Sequence, residues 1–117
     1  MRKPAVHRSF FNAFRGIFLM VKCERNFQIE VTAFFINLFL IFYLEVKISD
    51  AVLIIIVCLS VLAAEIFNTA VEKICDIIHP EFDRRIGFIK DISAGAVLLM
   101  VFTSVATGIL VYWKYIF

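Results

Sequence analysis

A chain of 117 residues has room for one domain. Hydrophobic residues make up 62% of it and charged residues 19%, with mean hydropathy +0.94 and fourteen Phe; soluble domains carry about 45–50% apolar and about 25% charged residues, so the composition is that of an integral membrane protein. A net charge of +2 is too small to suggest a nucleic-acid partner. Cys23, Cys58 and Cys75 lack C-x-x-C spacing, which points to apolar packing and away from a disulfide framework or zinc site.

The first predicted element runs from Val6 to Cys23. Phe10, Phe11, Phe14, Ile17, Phe18 and Val21 recur at three- and four-residue spacing, with Arg8, Arg15 and Lys22 on the other side. That is the pattern of an amphipathic helix lying in the headgroup layer; the plainer reading is a helix packed on its own protein. The basic residues scattered through this region do not match a cleavable signal peptide. Three long apolar segments come next, at about Phe27–Leu44, Ala51–Ile78 and Ile92–Trp113. Each is long enough to cross the hydrocarbon, and the second should emerge at the membrane surface with Glu72 and Asp76. The intervening EVKISD is expected to be a short turn, and in HPEFDRRIGFIK both Pro80 and Gly87 are expected to break the helix. The predicted fold is all-α: an N-terminal amphipathic interfacial helix plus three transmembrane helices in a bundle, one domain over 1–117.

Lysine and arginine set the expected orientation. Arg2, Lys3, Arg8, Arg15, Lys22 and Arg25 lie in the N-terminal arm, and Arg84, Arg85 and Lys90 in the second connection. The first connection holds only Lys47 and the C-terminal end only Lys114. The positive-inside rule places the arm and the second connection in the cytoplasm, at the cell membrane.

The richest stretch is AEIFNTAVEKICD, Ala64 to Asp76. At about 100° per residue, Glu65, Glu72 and Asp76 project within about 40° of one another, with Asn68 beside them. A carboxylate at membrane depth costs about 2.5–3.5 kcal/mol even on the lenient insertion scale, so such a stripe must meet protein, metal or ligand. Glu65 and Glu72 are about 10 Å apart along the axis, too far to share one metal, which suggests divided labour. The deeper Glu65 suits a general base for a lipid headgroup; Glu72 and Asp76 lie where a soluble ligand can reach. The plainer reading makes Glu65 and Asn68 interhelical hydrogen-bond partners. Four polar groups on one face favour the working site.

Glu24 and Glu30 stand at the cytoplasmic entrance to the first span. Magnesium favours one or two carboxylates plus substrate phosphates, which Glu24 and Glu72 can supply; otherwise Glu24 is a solvated helix-end charge. The third span is expected to begin KDISAGA. An exposed helix N-terminus with Lys90 and Asp91 would be an anion site, with Ser93 to Ala96 permitting close helix contact; a snorkelling anchor is the ordinary role of such a lysine. The sequence has no G-x-x-x-x-G-K-[ST] loop, protein-kinase signature, H-E-x-x-H or G-x-S-x-G. His7 and His79 are isolated and expected at the surface.

EIFNTAVEKICD followed by KDISAGAVLL resembles the prokaryotic diacylglycerol kinase family. SFFNAFRGI and CERNFQIE are similar to its Gram-positive-type branch, which includes undecaprenol kinases. The resemblance covers nearly the whole chain. It implies a homotrimer of three-span subunits with active sites between neighbours, transferring the γ-phosphate of ATP to a lipid hydroxyl with Mg2+. By position it implies Glu65 as the catalytic carboxylate, and Glu24 and Glu72 as holding magnesium and contacting ATP. Lys90 and Asp91 would bind nucleotide phosphate, with Glu81, Asp83, Asn12, Asn68 and Asp76 on the nucleotide side. Asn26, Phe27, Gln28, Ile29, Glu30 and Ala94 would border the lipid. The substrate would be undecaprenol or diacylglycerol, with the arm motif favouring undecaprenol. Two other classes compete: a small proton-coupled transporter, which leaves Lys90 and Asp91 unexplained, and a non-catalytic assembly subunit.

Overall fold

The computed structural model describes residues 5–117; Arg2 and Lys3 of the basic arm lie outside the described residues. Four helices succeed one another: α1 Val6–Cys23, α2 Arg25–Tyr43, α3 Ile48–Ile78 and α4 Arg84–Ile116. The last three are long and apolar enough to cross a membrane. At 1.5 Å per residue α3 is about 46 Å long and α4 about 50 Å, so both project beyond an apolar core of about 30 Å. Apolar side chains cover the outside: Phe35, Phe39 and Phe42 on α2 and Phe102, Ile109 and Leu110 on α4 are all exposed, as suits surfaces that meet lipid.

α3 is the central helix, packing most extensively on α4 and next on α2. Its buried positions are Asp50, Ile54, Val61, Glu65, Asn68, Thr69 and Cys75, at helical spacing along one face. Phe27 of α2 and Ile54 are the most deeply buried large side chains. The cysteines are free: Cys75 is buried, Cys58 half-buried, and Cys23 exposed at the end of α1.

The joints explain the bends. Glu24 leaves helical geometry (φ −106°, ψ 114°) between α1 and α2. The Gln28 amide then reaches back, its Nε2 donating to Val21 O at 2.9 Å and Lys22 O at 3.3 Å, which satisfies carbonyls that α1 leaves open. α2 ends with Glu45 in the left-handed region at φ 53°. Glu45 N donates to Phe42 O (3.3 Å) and Val46 N to Ile41 O (3.0 Å), the paired bonds of a Schellman ending. The turn is shorter than EVKISD, since Ile48, Ser49 and Asp50 already belong to α3.

At that end of the bundle Asp50 is 6% exposed. Its Oδ2 accepts from Lys114 Nζ at 3.0 Å and Tyr115 OH at 2.8 Å, while Lys47 N donates to Tyr115 OH at 3.1 Å. The start of α3 is thereby fastened to the end of α4. Tyr112 OH also donates to Asn37 Oδ1 at 2.7 Å, tying α4 to α2.

The opposite joint departs from the sequence expectation. Residues from His79 to Asp83 are non-helical around Pro80, but Gly87 breaks nothing. α4 starts at Arg84 and runs through Gly87, whose N–H donates to Asp83 O at 2.9 Å. A single helical glycine costs only about 1 kcal/mol, and Asp83 caps the turn by accepting from Arg85 N at 2.8 Å. Lys90 and Asp91 consequently sit well inside α4 and not at its N-terminus.

Candidate functional site

α3 carries its polar stripe into the space between α2 and α4. Glu65 is 5% exposed and Asn68 7%, yet both line an open cleft of ≈260 Å³ with Asn26 of α2, Glu72 of α3, and Ala94 and Val97 of α4. The cleft is therefore walled by three helices. Asn68 Nδ2 donates to Glu72 Oε1 at 3.2 Å, whereas Asn68 Oδ1 is buried with no hydrogen-bond partner. Glu65 lies within electrostatic reach of Glu72 and of Glu24. A carboxylate at the wall of such a cleft stands where it can take a proton from a group that enters it.

Glu24 reaches this neighbourhood because the α1–α2 corner folds it against α3. Lys73 Nζ stands 3.9 Å from Glu24 Oε1, a loose and largely exposed pair of little energetic weight. Glu30, one helical turn and a half further along α2, faces Glu65 electrostatically and has a buried, unpartnered Oε2.

A second hollow of ≈290 Å³ lies at the α3–α4 joint, lined by Glu81, Phe82, Asp83, Gly87 and Lys90 among others. Lys90 Nζ is held 2.7 Å from Asp76 Oδ1. Asp83 Oδ2 accepts from Arg85 Nη2 at 3.0 Å and lies 3.6 Å from His79 Nε2. The Arg85 side-chain and backbone hydrogen bonds pull the Asp83 carboxyl down to about 2.

The residues singled out from sequence thus fall into groups. Asn26, Glu65, Asn68, Glu72 and Ala94 share the first cleft, while Glu24 is outside its lining and faces Lys73; Glu81, Asp83 and Lys90 share the second hollow. Asp76 leaves the Glu65 stripe to pair with Lys90, and Asp91 and Asn12 are exposed. Ile29 is exposed, but Phe27 is 2% exposed in the interior and Gln28 is turned toward α1. His79 is not isolated, since it faces Asp83. Gly95 has no neighbour within 4 Å of where a Cβ would stand, so this glycine does not serve a close helix contact within the chain.

Sequence reasoning overlooked Lys73, Thr69 and Val97. Thr69 is 8% exposed beside Asn68, and its place on the buried face comes from the same spacing that selects Glu65 and Glu72. Lys73 needed the α1–α2 corner, which carries neither Gly nor Pro.

The prokaryotic diacylglycerol kinase family matches residues 11–112. This chain belongs to that family. Membership makes it a lipid kinase. It is 31% identical over 105 residues to the undecaprenol kinase of Bacillus subtilis (strain 168), covering 90% of this chain and 85% of that relative. It is 29% identical over 92 residues to the diacylglycerol kinase of Escherichia coli (strain K12), covering 79% and 75%. The diacylglycerol kinase of Shigella flexneri matches equally, at 29% over 92 residues.

Among the described residues no three His, Cys, Asp or Glu side chains form a group able to hold a metal alone. Glu24, Glu72 and the unpartnered Asn68 Oδ1 are nevertheless all hard oxygen donors. That set fits a magnesium ion that takes its remaining ligands from water and phosphate, and does not fit a thiol- or imidazole-bound metal.

Proposed function

We propose that this lipid kinase transfers the γ-phosphate of ATP to the hydroxyl of undecaprenol at the cytoplasmic face of the cell membrane. Diacylglycerol, the other lipid named among its relatives, is the runner-up. The observation that carries the reading is Glu65, nearly fully buried at the wall of a cleft open between apolar helices. A carboxylate in that position reaches an alcohol dissolved in the bilayer. Undecaprenol is preferred because the relative of that name shares more of this chain, 90% against 79%.

Glu65 accepts the proton as the lipid hydroxyl attacks the γ-phosphorus and the bond to the bridging oxygen breaks, releasing ADP, and Asn68 orients the Glu72 side chain through its amide. Glu24 and Glu72 would hold magnesium, which would neutralise phosphate charge. Lys90 supplies a second cation for nucleotide phosphate, with Glu81 and Asp83 beside it and Asp76 and Asp91 at the same end. Phosphoryl transfer is mostly positioning and charge neutralisation, so a base facing lipid and cations facing the aqueous side suffice. Asn26, Glu30 and Ala94 border the lipid. The phenylalanine face of α1, with Phe10, Phe11 and Phe14 all exposed, rests in the headgroup layer. The small residues around Gly95 receive a neighbouring subunit in a homotrimer.

The test is a side-by-side assay: purified protein in micelles with labelled ATP, Mg2+ and either lipid. Labelled undecaprenyl phosphate is expected, formed faster than phosphatidic acid. ATP-independent transport of protons or cations, with no phospholipid formed, would replace this reading by a transporter.

A further inference from the structure

α3 and α4 are tied at both ends by the same kind of pair, an aspartate on α3 and a lysine on α4. At 1.5 Å per residue, Asp50 to Asp76 covers about 39 Å of α3, and Lys90 to Lys114 about 36 Å of α4. The lengths match, so the outer pair keeps the register that brings Lys90 opposite Asp76. The two ties differ in burial. Asp50 is buried and accepts from both Lys114 and Tyr115, whereas Lys90 and Asp76 both reach solvent. The outer tie is a fixed fastening. The inner one can open by side-chain movement alone while the helices keep their register.

Among the described residues, Lys90 is the one lysine or arginine lining the hollow at the α3–α4 joint, which Glu81 and Asp83 also line. Arg85 is turned to Asp83. A phosphate entering this hollow has Lys90 as its cation, and Lys90 is already held 2.7 Å from Asp76 Oδ1. Binding is therefore an exchange, in which the phosphate takes Lys90 and Asp76 is left without its partner. Asp76 then stands one helical turn from Glu72, and like charges at that spacing repel. A metal ion arriving at Glu72 with the phosphate offsets that repulsion; a bare phosphate does not. An exposed pair is weak enough for the exchange to proceed and strong enough to weigh on affinity.

We propose that Asp76 is a specificity-determining residue: by holding Lys90, it makes phosphate binding an exchange that favours nucleotide carrying its metal over metal-free nucleotide. The inference rests on the placement of nucleotide phosphate at Lys90 and of metal at Glu72, and adds to it what selects the form of the nucleotide.

The test measures equilibrium binding of ATP to the purified full chain in micelles without lipid alcohol, once with excess Mg2+ and once with EDTA. Wild type, Asp76→Asn, Asp76→Ala and Asp76→Glu are compared. In wild type the magnesium complex is expected to bind more tightly than metal-free ATP. Asp76→Asn and Asp76→Ala are each expected to tighten metal-free ATP about two- to fivefold, the worth of an exposed pair, and the magnesium complex by less. Asp76→Glu keeps the carboxylate and should retain the wild-type preference. In turnover with ATP in excess over Mg2+, the Asn variant should be inhibited by free nucleotide at lower concentrations than wild type. Thermal unfolding and particle mass show whether each variant is folded and assembled; either the Asn or the Ala variant, folded, decides the matter. If neither folds, Asp76 serves the fold and the proposal is lost. Weaker binding of the magnesium complex with metal-free ATP unchanged would overturn it, since Asp76 would then be a ligand of the metal or the nucleotide. So would unchanged affinity for both forms, or an equal gain on both. If wild type binds ATP in neither form, the nucleotide placement itself has failed, an outcome distinct from failure of the Asp76 role.

Discussion

Glu65 is 5% exposed, and it opens on a cleft that Asn68 and Glu72 of its own helix also line. Glu65→Gln keeps the shape and removes both the charge and the basicity. Turnover is expected to fall by about 10²–10⁴-fold, the usual contribution of a general base, while the thermal midpoint in detergent stays the same or rises. Activity assay and thermal unfolding on the same preparation check both halves; wild-type turnover would remove Glu65 from the chemistry. This residue was legible because a helix has a fixed period, so the distance of Glu65 from Glu72 and Asp76 in sequence gives their shared face. The division of that face was not legible. Asp76 turns to Lys90 at 2.7 Å, a contact between helices that spacing along one helix cannot encode.

At the scale of elements, a side chain and not a glycine secures the first and the last joint. Asp83 fastens the first turn of α4 and lets the helix run through Gly87, moving Lys90 away from the helix end where the motif alone had put it. Pro80 was readable because it lacks an N–H; the Asp83 cap was not, because its strength lies in Arg85 folding back on it. The Asp83 carboxyl, held at about 2 below an ordinary 3.8 by Arg85, favours the folded turn above pH 4. That contribution shrinks as pH falls from about 4 and is gone below 2. A carboxyl titration monitored by NMR is expected to place its midpoint near 2, and a midpoint near 4 would mean that the Arg85 contact is absent. Asp83→Ala is expected to speed amide exchange at Arg85 and Gly87 at neutral pH. Gln28 does the same service for the α1–α2 corner. Gln28→Ala removes two exposed side-chain bonds to Val21 and Lys22 and is expected to cost about 1 kcal/mol, read by thermal unfolding, with KM for lipid unchanged. A raised lipid KM at unchanged stability would return Gln28 to the substrate side.

For the whole molecule, the two ends of the bundle have opposite chemistry. One end gathers Glu24, Glu72, Asp76, Lys90 and the Asp83–Arg85 pair; the other holds the Asp50–Lys114–Tyr115 fastening. An odd number of spans leaves α1 and the α3–α4 joint on one side and the α2–α3 turn and the C-terminal end on the other. Basic residues favour the cytoplasmic side, and in the proposed orientation Arg84 and Arg85 join those of α1 there. That single choice decides whether Lys90 meets ATP. The orientation is checked by replacing Cys23, Cys58 and Cys75 with Ala and placing one cysteine at a time at Lys47 or Arg84, both in exposed positions. In intact cells a membrane-impermeant maleimide is expected to label Lys47→Cys and to spare Arg84→Cys until the membrane is opened. The reverse pattern would turn the nucleotide-side residues away from the cytoplasmic ATP pool, and the assignment of Lys90, Glu72 and Glu24 to ATP would fall with it. Glu65 would remain buried in its cleft in either orientation, so labelling tests the source of phosphate independently of the base.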